Sequence, residues 1–174
     1  MPPWRDWYHV TGNTYGAWLP GDDRGWRTRH ARTQPGADKA IPDFGRDRLQ
    51  KHVRERLRRE PVILNPAARD LARETILSAL LFHSIEVVVI VVTAVHFHIL
   101  GRFPDQKPRH WAGIAKKESA RALSRDALVL PGGTWAVRTH CNPISDRSHQ
   151  MQVVRYILDH AAKGGAIWRC PPAR

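Results

Sequence analysis

A chain of 174 residues holds one domain with a sizeable core and excludes a multidomain machine. Its apolar fraction of 42% suits a soluble globular protein, and the longest uncharged apolar run, Val87 to Val95, is too short for a bilayer, which needs about 20 such residues. Lys and Arg number 28 against 16 Asp and Glu, and the resulting charge of +12 points to a polyanionic partner. Nucleic acid fits better than an anionic membrane, because no segment joins a basic face to a long apolar stripe. The competing reading is a basic surface with no function of its own. The opening Met1-Pro2-Pro3-Trp4-Arg5-Asp6 carries no apolar signal region, so a cytoplasmic protein is expected. Cys141 and Cys170 match no CxxC spacing and read as free thiols.

Trp7 to Thr14, rich in aromatic and β-branched residues, reads as a first strand. Pro20-Gly21-Asp22-Asp23 then breaks the chain, and residues 24–59 read as a basic arm inserted into the single domain 1–174. That arm carries 12 basic residues against four acidic ones, with Arg24, Arg27 and Arg29 at its start as candidate phosphate contacts. Arg46 to Arg59 fits a short polar helix ending before Pro61. Asn65-Pro66 is a helix cap followed by proline at the first helical position, and Ile76, Leu77, Leu80 and Leu81 give that helix its apolar stripe. The β-branched runs Ile85–Thr93 and Val95–Phe103 meet at Ala94 and predict an antiparallel pair. Gln106 to Arg125 reads as a helix with Lys116, Lys117, Arg121 and Arg125 near one face. Trp135 to Cys141 reads as a fourth strand. A last helix is expected to start at Ser145 or Asp146 and to stop at Gly164-Gly165. The order β, α, β, β, α, β, α predicts an α+β fold: a ferredoxin-like antiparallel sheet (βαββαβ) with an additional C-terminal helix.

Alternation along the third strand puts Val95, Phe97, Ile99, Gly101 and Phe103 on one side and His96, His98, Leu100 and Arg102 on the other. The apolar set is expected to pack on the helices, leaving both imidazoles on the opposite face. Such a pair can bring two nitrogens to one cation; in a chain with ten histidines it is also compatible with incidental placement. Tyr156 and His160, four residues apart, share a face of the last helix, which would deliver His160 to the pair as a third ligand with Tyr156 beside the metal. The alternative makes Tyr156 a packing aromatic and His160 a surface residue. Arg155 and Lys163 flank Tyr156 and, with Lys116, Lys117 and Arg121, are candidate nucleic-acid contacts. Trp4, Trp7, Trp18 and Trp26 are able to stack unpaired bases, although Trp4 and Trp7 fit a core better.

His96-Phe97-His98 on a strand, followed by Tyr156-Ile157-Leu158-Asp159-His160 on a late helix, resembles the HUH single-strand nucleases. Together with Tyr15-Gly16-Ala17-Trp18-Leu19-Pro20-Gly21-Asp22-Asp23-Arg24-Gly25-Trp26, it is similar to the REP-associated tyrosine transposases, which have one catalytic tyrosine. The resemblance spans Trp7 to Trp168. It implies a metal-dependent endonuclease and strand transferase acting on single-stranded or hairpin DNA, with Tyr156 as nucleophile and His96, His98 and His160 as metal ligands. His160 stands where many relatives carry Gln or Asn. The implied cofactor is a divalent cation, Mg or Mn first, with Zn, Co or Ni as alternatives suited to imidazole. The implied product is a 5′-phosphotyrosine with a free 3′-hydroxyl; ATP is not required, and no GxxxxGK[ST] stretch is present. A monomer or a homodimer is compatible with the resemblance. The competing function is a domesticated, catalytically silent DNA-binding protein of the same fold.

Overall fold

Valine and isoleucine dominate Glu86–Val92, and this strand is buried on both faces, which explains a run without polar alternation. In the computed structural model, which describes residues 4–19 and 43–171, it is β2 of a five-stranded antiparallel sheet. The other strands are β1 (Trp7–Thr14), β3 (His96–Arg102), β4 (Trp135–Pro143) and β5 (Ala166–Arg169). Their spatial order is β4-β1-β3-β2-β5, so the first four strands have the expected ferredoxin-like arrangement and β5 extends it past β2. The helices are α1 (Asp43–Glu55), α2 (Pro66–Phe82), α3 (Pro108–Arg125) and α4 (Arg147–Leu158). The fold is therefore α+β, as its element order implies.

Two cores sandwich the sheet. On one face Phe97, Ile99 and Phe103 of β3 pack with Ala72, Ile76 and Leu80 of α2 and with Ala112, Ala115 and Leu123 of α3. On the other face Leu100 of β3 and Val89 and Val91 of β2 meet Val153, Val154 and Ile157 of α4. Alternation along β2 sends Ile90 and Val92 to the first core and Val89 and Val91 to the second, and a register irregularity between Val87 and Val89 lets Val87 join the first. Each fully buried valine, leucine, isoleucine or phenylalanine side chain contributes about 1.5–3 kcal/mol relative to exposure. Gly12 of β1 lies opposite Phe97, and a Cβ there would fall 2.5 Å from the Phe97 ring, so β1 accommodates that ring only as glycine. Trp4 and Trp7 pack against the second core.

The start of α2 is where the sequence places it: the Asn65 side chain accepts the Ala68 N–H at 2.8 Å and Pro66 follows. The expected arm helix, by contrast, ends at Glu55 rather than Arg59. Arg54 and Arg58 would stack as like charges one turn apart if it continued. This helix belongs to a separate unit, Gly16–Pro61; the sheet and the remaining helices form the unit Met1–Tyr15 with Val62–Arg174. The last expected helix changes character at Asp159, becoming a 3₁₀ turn over Asp159–Lys163 that stops at Gly164 with φ 72°. Among the described residues no helix is long and apolar enough to cross a membrane.

Candidate active site

The tight connection between β2 and β3 fixes His96. The Thr93 hydroxyl donates to the His96 carbonyl at 3.0 Å and accepts the His96 N–H at 3.1 Å. His98, two residues on, projects from the same face, toward α4 rather than toward α2 and α3. The 3₁₀ turn after α4 supplies His160, whose Nδ1 donates to the Tyr156 carbonyl at 2.9 Å, so that Nε2 is its candidate ligand atom. Arg69 clasps the end of this turn through the Gly164 carbonyl. The ligand nitrogens of His96, His98 and His160 then lie within 4.8 Å of one another. Ring centroids are 4.8 Å apart for His96 and His98, 5.2 Å for His96 and His160, and 4.9 Å for His98 and His160.

Tyr156 stands beside this cluster, its ring centroid 5.2 Å from that of His98 and 5.0 Å from that of His160. It is 49% exposed, whereas His98 and His160 are each 5% exposed. The helix thus buries Val153 and Ile157 on the sheet and leaves the phenol facing solvent at the edge of a buried imidazole group. A single chain provides all four side chains.

A fourth histidine, not singled out from the sequence, belongs to the same face. The β1–β3 register sets Thr11 opposite His98 and His9 opposite Leu100. His9 Nε2 and Thr11 Oγ1 each approach His98 Nδ1 at 3.0 Å. The His9 ring also meets Tyr156, with centroids 6.0 Å apart. Burial, reinforced by His96, His9 and His160, pushes the His98 imidazole down to about 2. Burial, with His149 and His160, lowers His9 to about 4. Both rings are neutral at pH 7, the state in which an imidazole nitrogen ligates a metal. Three imidazole nitrogen donors, with no carboxylate in the cluster, fit a borderline first-row cation better than Mg, which favours oxygen.

The expected nucleic-acid contacts divide. Arg155 and Lys163 are exposed on either side of Tyr156 in sequence. Lys117 and Arg121 are exposed on α3, across the sheet from the imidazoles, with Arg121 paired to Glu118 at 2.8 Å. Lys116 differs from these exposed cations. It is buried, and its ammonium donates to the carbonyls of Ala136 (2.5 Å) and Val137 (3.1 Å) and to the Thr139 hydroxyl (3.2 Å), so it serves β4 rather than solvent. Arg24, Arg27 and Arg29 lie outside the described residues, as does Trp26.

No protein-family model matches the chain, and no curated protein does. Among solved structures it is similar to a REP-associated tyrosine transposase bound to a REP hairpin, with a TM-score of 0.51 and 14% identity over 94% of this chain and 72% of that one. At that identity the likeness is one of fold: this chain and that transposase share an α+β architecture at a distant level.

Proposed function

We propose that this protein is a metal-dependent endonuclease and strand transferase of single-stranded or hairpin DNA, with Tyr156 as nucleophile. The observation that carries the reading is the half-exposed Tyr156 ring within 5.2 Å of two members of a three-imidazole cluster drawn from the same chain. The likeness of fold to a hairpin-bound transposase and the charge of +12 support it.

His96, His98 and His160 are the residues that would hold the cation. When bound, a divalent ion supplies charge neutralisation at a non-bridging phosphate oxygen; the imidazole set favours Mn, Zn, Co or Ni over Mg. The rest of the step falls to the chain. The α4 backbone, anchored by Val153 and Ile157, aligns the phenol for attack. The Tyr156 oxygen attacks phosphorus and releases its proton to solvent on its exposed side. The P–O3′ bond breaks, and the departing 3′ oxygen takes up a proton. The 5′-phosphotyrosine conserves the ester bond, so attack by a 3′-hydroxyl reverses the reaction or transfers the strand. Arg155 and Lys163, exposed and flanking Tyr156 in sequence, are the cations that would hold neighbouring phosphates.

The test is incubation of the full chain with labelled single-stranded and hairpin oligonucleotides and Mn. A covalent protein–DNA adduct is expected, lost in Tyr156→Phe and in His96→Ala, with oligonucleotide binding largely retained in both. Absence of an adduct on oligonucleotides shown to bind would end the proposal in favour of a silent DNA-binding protein.

A further inference from the structure

Ligation by a histidine requires more than a nitrogen at the right place. One ring nitrogen must be bare toward the cation, and the proton must therefore sit on the other, where a second residue has to accept it. For His160 that acceptor is the Tyr156 backbone carbonyl, which holds Nδ1 and frees Nε2. For His98, among the described residues, the hydrogen bonds at Nδ1 come from side chains rather than from a backbone carbonyl. Its neighbours there are two side chains of β1, His9 through Nε2 and Thr11 through Oγ1, each at 3.0 Å.

We propose that His9 and Thr11 are positioning residues for the metal centre: they grip His98 by Nδ1, fix the ring's orientation, and leave Nε2 as the atom presented to the cation. This rests on the metal-binding reading given above. Both partners have a lone pair able to accept the Nδ1 proton. Their placement follows from strand register. Thr11 is directly opposite His98, and His9 lies two residues back on the same face, where the length of an imidazole spans the diagonal. His9 Nε2 is engaged with His98, so His9 acts through that ligand. The contact between the His9 and Tyr156 rings, with centroids 6.0 Å apart, extends the same brace to the nucleophile.

Outer partners of this kind typically change metal affinity by about 10- to 100-fold. The experiment is Zn(II) or Co(II) binding by the full chain in competition with a chromophoric chelator, comparing wild type with His9→Phe, His9→Gln, Thr11→Val and His96→Ala. His9→Phe keeps the ring volume but has no acceptor, and an affinity loss of about 10-fold or more is expected. His9→Gln restores an acceptor near the position of Nε2 and should recover most of that loss. Thr11→Val should fall between wild type and His9→Phe. In parallel, nitrogen NMR of wild type with Zn is expected to show His98 protonated at Nδ1 and metal-bound at Nε2. That measurement decides the question even where His9→Phe does not fold. Wild-type affinity in both His9→Phe and Thr11→Val, or a Zn-bound His98 with bare Nδ1, would overturn the positioning role and leave the metal centre standing. Wild type binding no better than His96→Ala would remove the metal centre and this inference with it.

Discussion

Lys116 and Lys117 are adjacent in α3, yet their ammonium groups do unrelated work. Lys116 satisfies two carbonyls and a hydroxyl of β4, an edge strand with β1 on one side only, whereas Lys117 faces solvent. Lys116→Met should therefore cost about 1–3 kcal/mol in urea unfolding, because three hydrogen bonds from a charged donor to β4 are lost. Lys117→Met with Arg121→Gln should leave stability within about 0.5 kcal/mol. If those two exposed side chains contact phosphates, the double variant should flatten the salt dependence of DNA binding by about one unit of slope per contact. A DNA-binding slope identical to wild type would take α3 out of the interface. Composition could not separate the two lysines, since both count as +1. What separates them is helix phase against β4, a contact 20 or more residues away in sequence. His9 was hidden for the same reason. The His96–His98 pair advertises itself by spacing, but pairing His9 with it needs the register of two strands separated by 89 positions.

The element that presents Tyr156, the proposed nucleophile, is α4, and its start is governed by Asp146. The Asp146 carboxylate accepts the His149 N–H at 2.9 Å and the Ser145 hydroxyl at 2.7 Å, and these bonds, the first above all, hold its pKa below the usual 3.8. A carboxyl with a depressed folded pKa stabilises the folded state above its unfolded pKa and loses that contribution as pH falls through the folded value. The cap should therefore be fully effective at pH 7 and should weaken only below about pH 3.8. Asp146→Ala is expected to lower Tm at pH 7, while Asp146→Asn, which keeps an acceptor, should retain most of it. Near pH 2.5 the gap between wild type and Asp146→Ala should narrow; a gap independent of pH would assign the effect to something other than the ionised cap. Elements marked by caps or by period were legible in the sequence: β1, the start of α2, the β2–β3 pair and the Asp146 cap. The strand β5 was not, because Ala-Ile-Trp-Arg after Gly164-Gly165 is too short to display a period. Its pairing with β2, from Val92 with Ala166 to Val89 with Arg169, is decided by a sheet edge that no local pattern reveals.

At the scale of the whole molecule, the decisive feature is that β3, the turn after α4 and Tyr156 converge within one chain. His160 is tied to Tyr156 through the 2.9 Å hydrogen bond across one turn, and α4 packs by Val153, Val154 and Ile157 on the same sheet that carries His96 and His98. Exchanging the tyrosine between two copies would require pulling those three apolar residues out of their own core, at about 1.5–3 kcal/mol each before any repacking on a partner. Catalysis is therefore expected to be complete in a single protomer. Mixing His96→Ala with Tyr156→Phe provides the check: each variant lacks one half of the site, and neither is able to supply the other across a subunit boundary if the halves stay in cis. Adduct formation in the mixture should remain at the sum of the two inactive variants at every protein concentration. With wild type, adduct formed per protomer should not depend on total protein over a range where DNA is saturating. Recovery of adduct in the mixture, rising with concentration, would mean that α4 docks on the sheet of a second copy during the reaction, and the arrangement within one chain would then describe the resting protein alone.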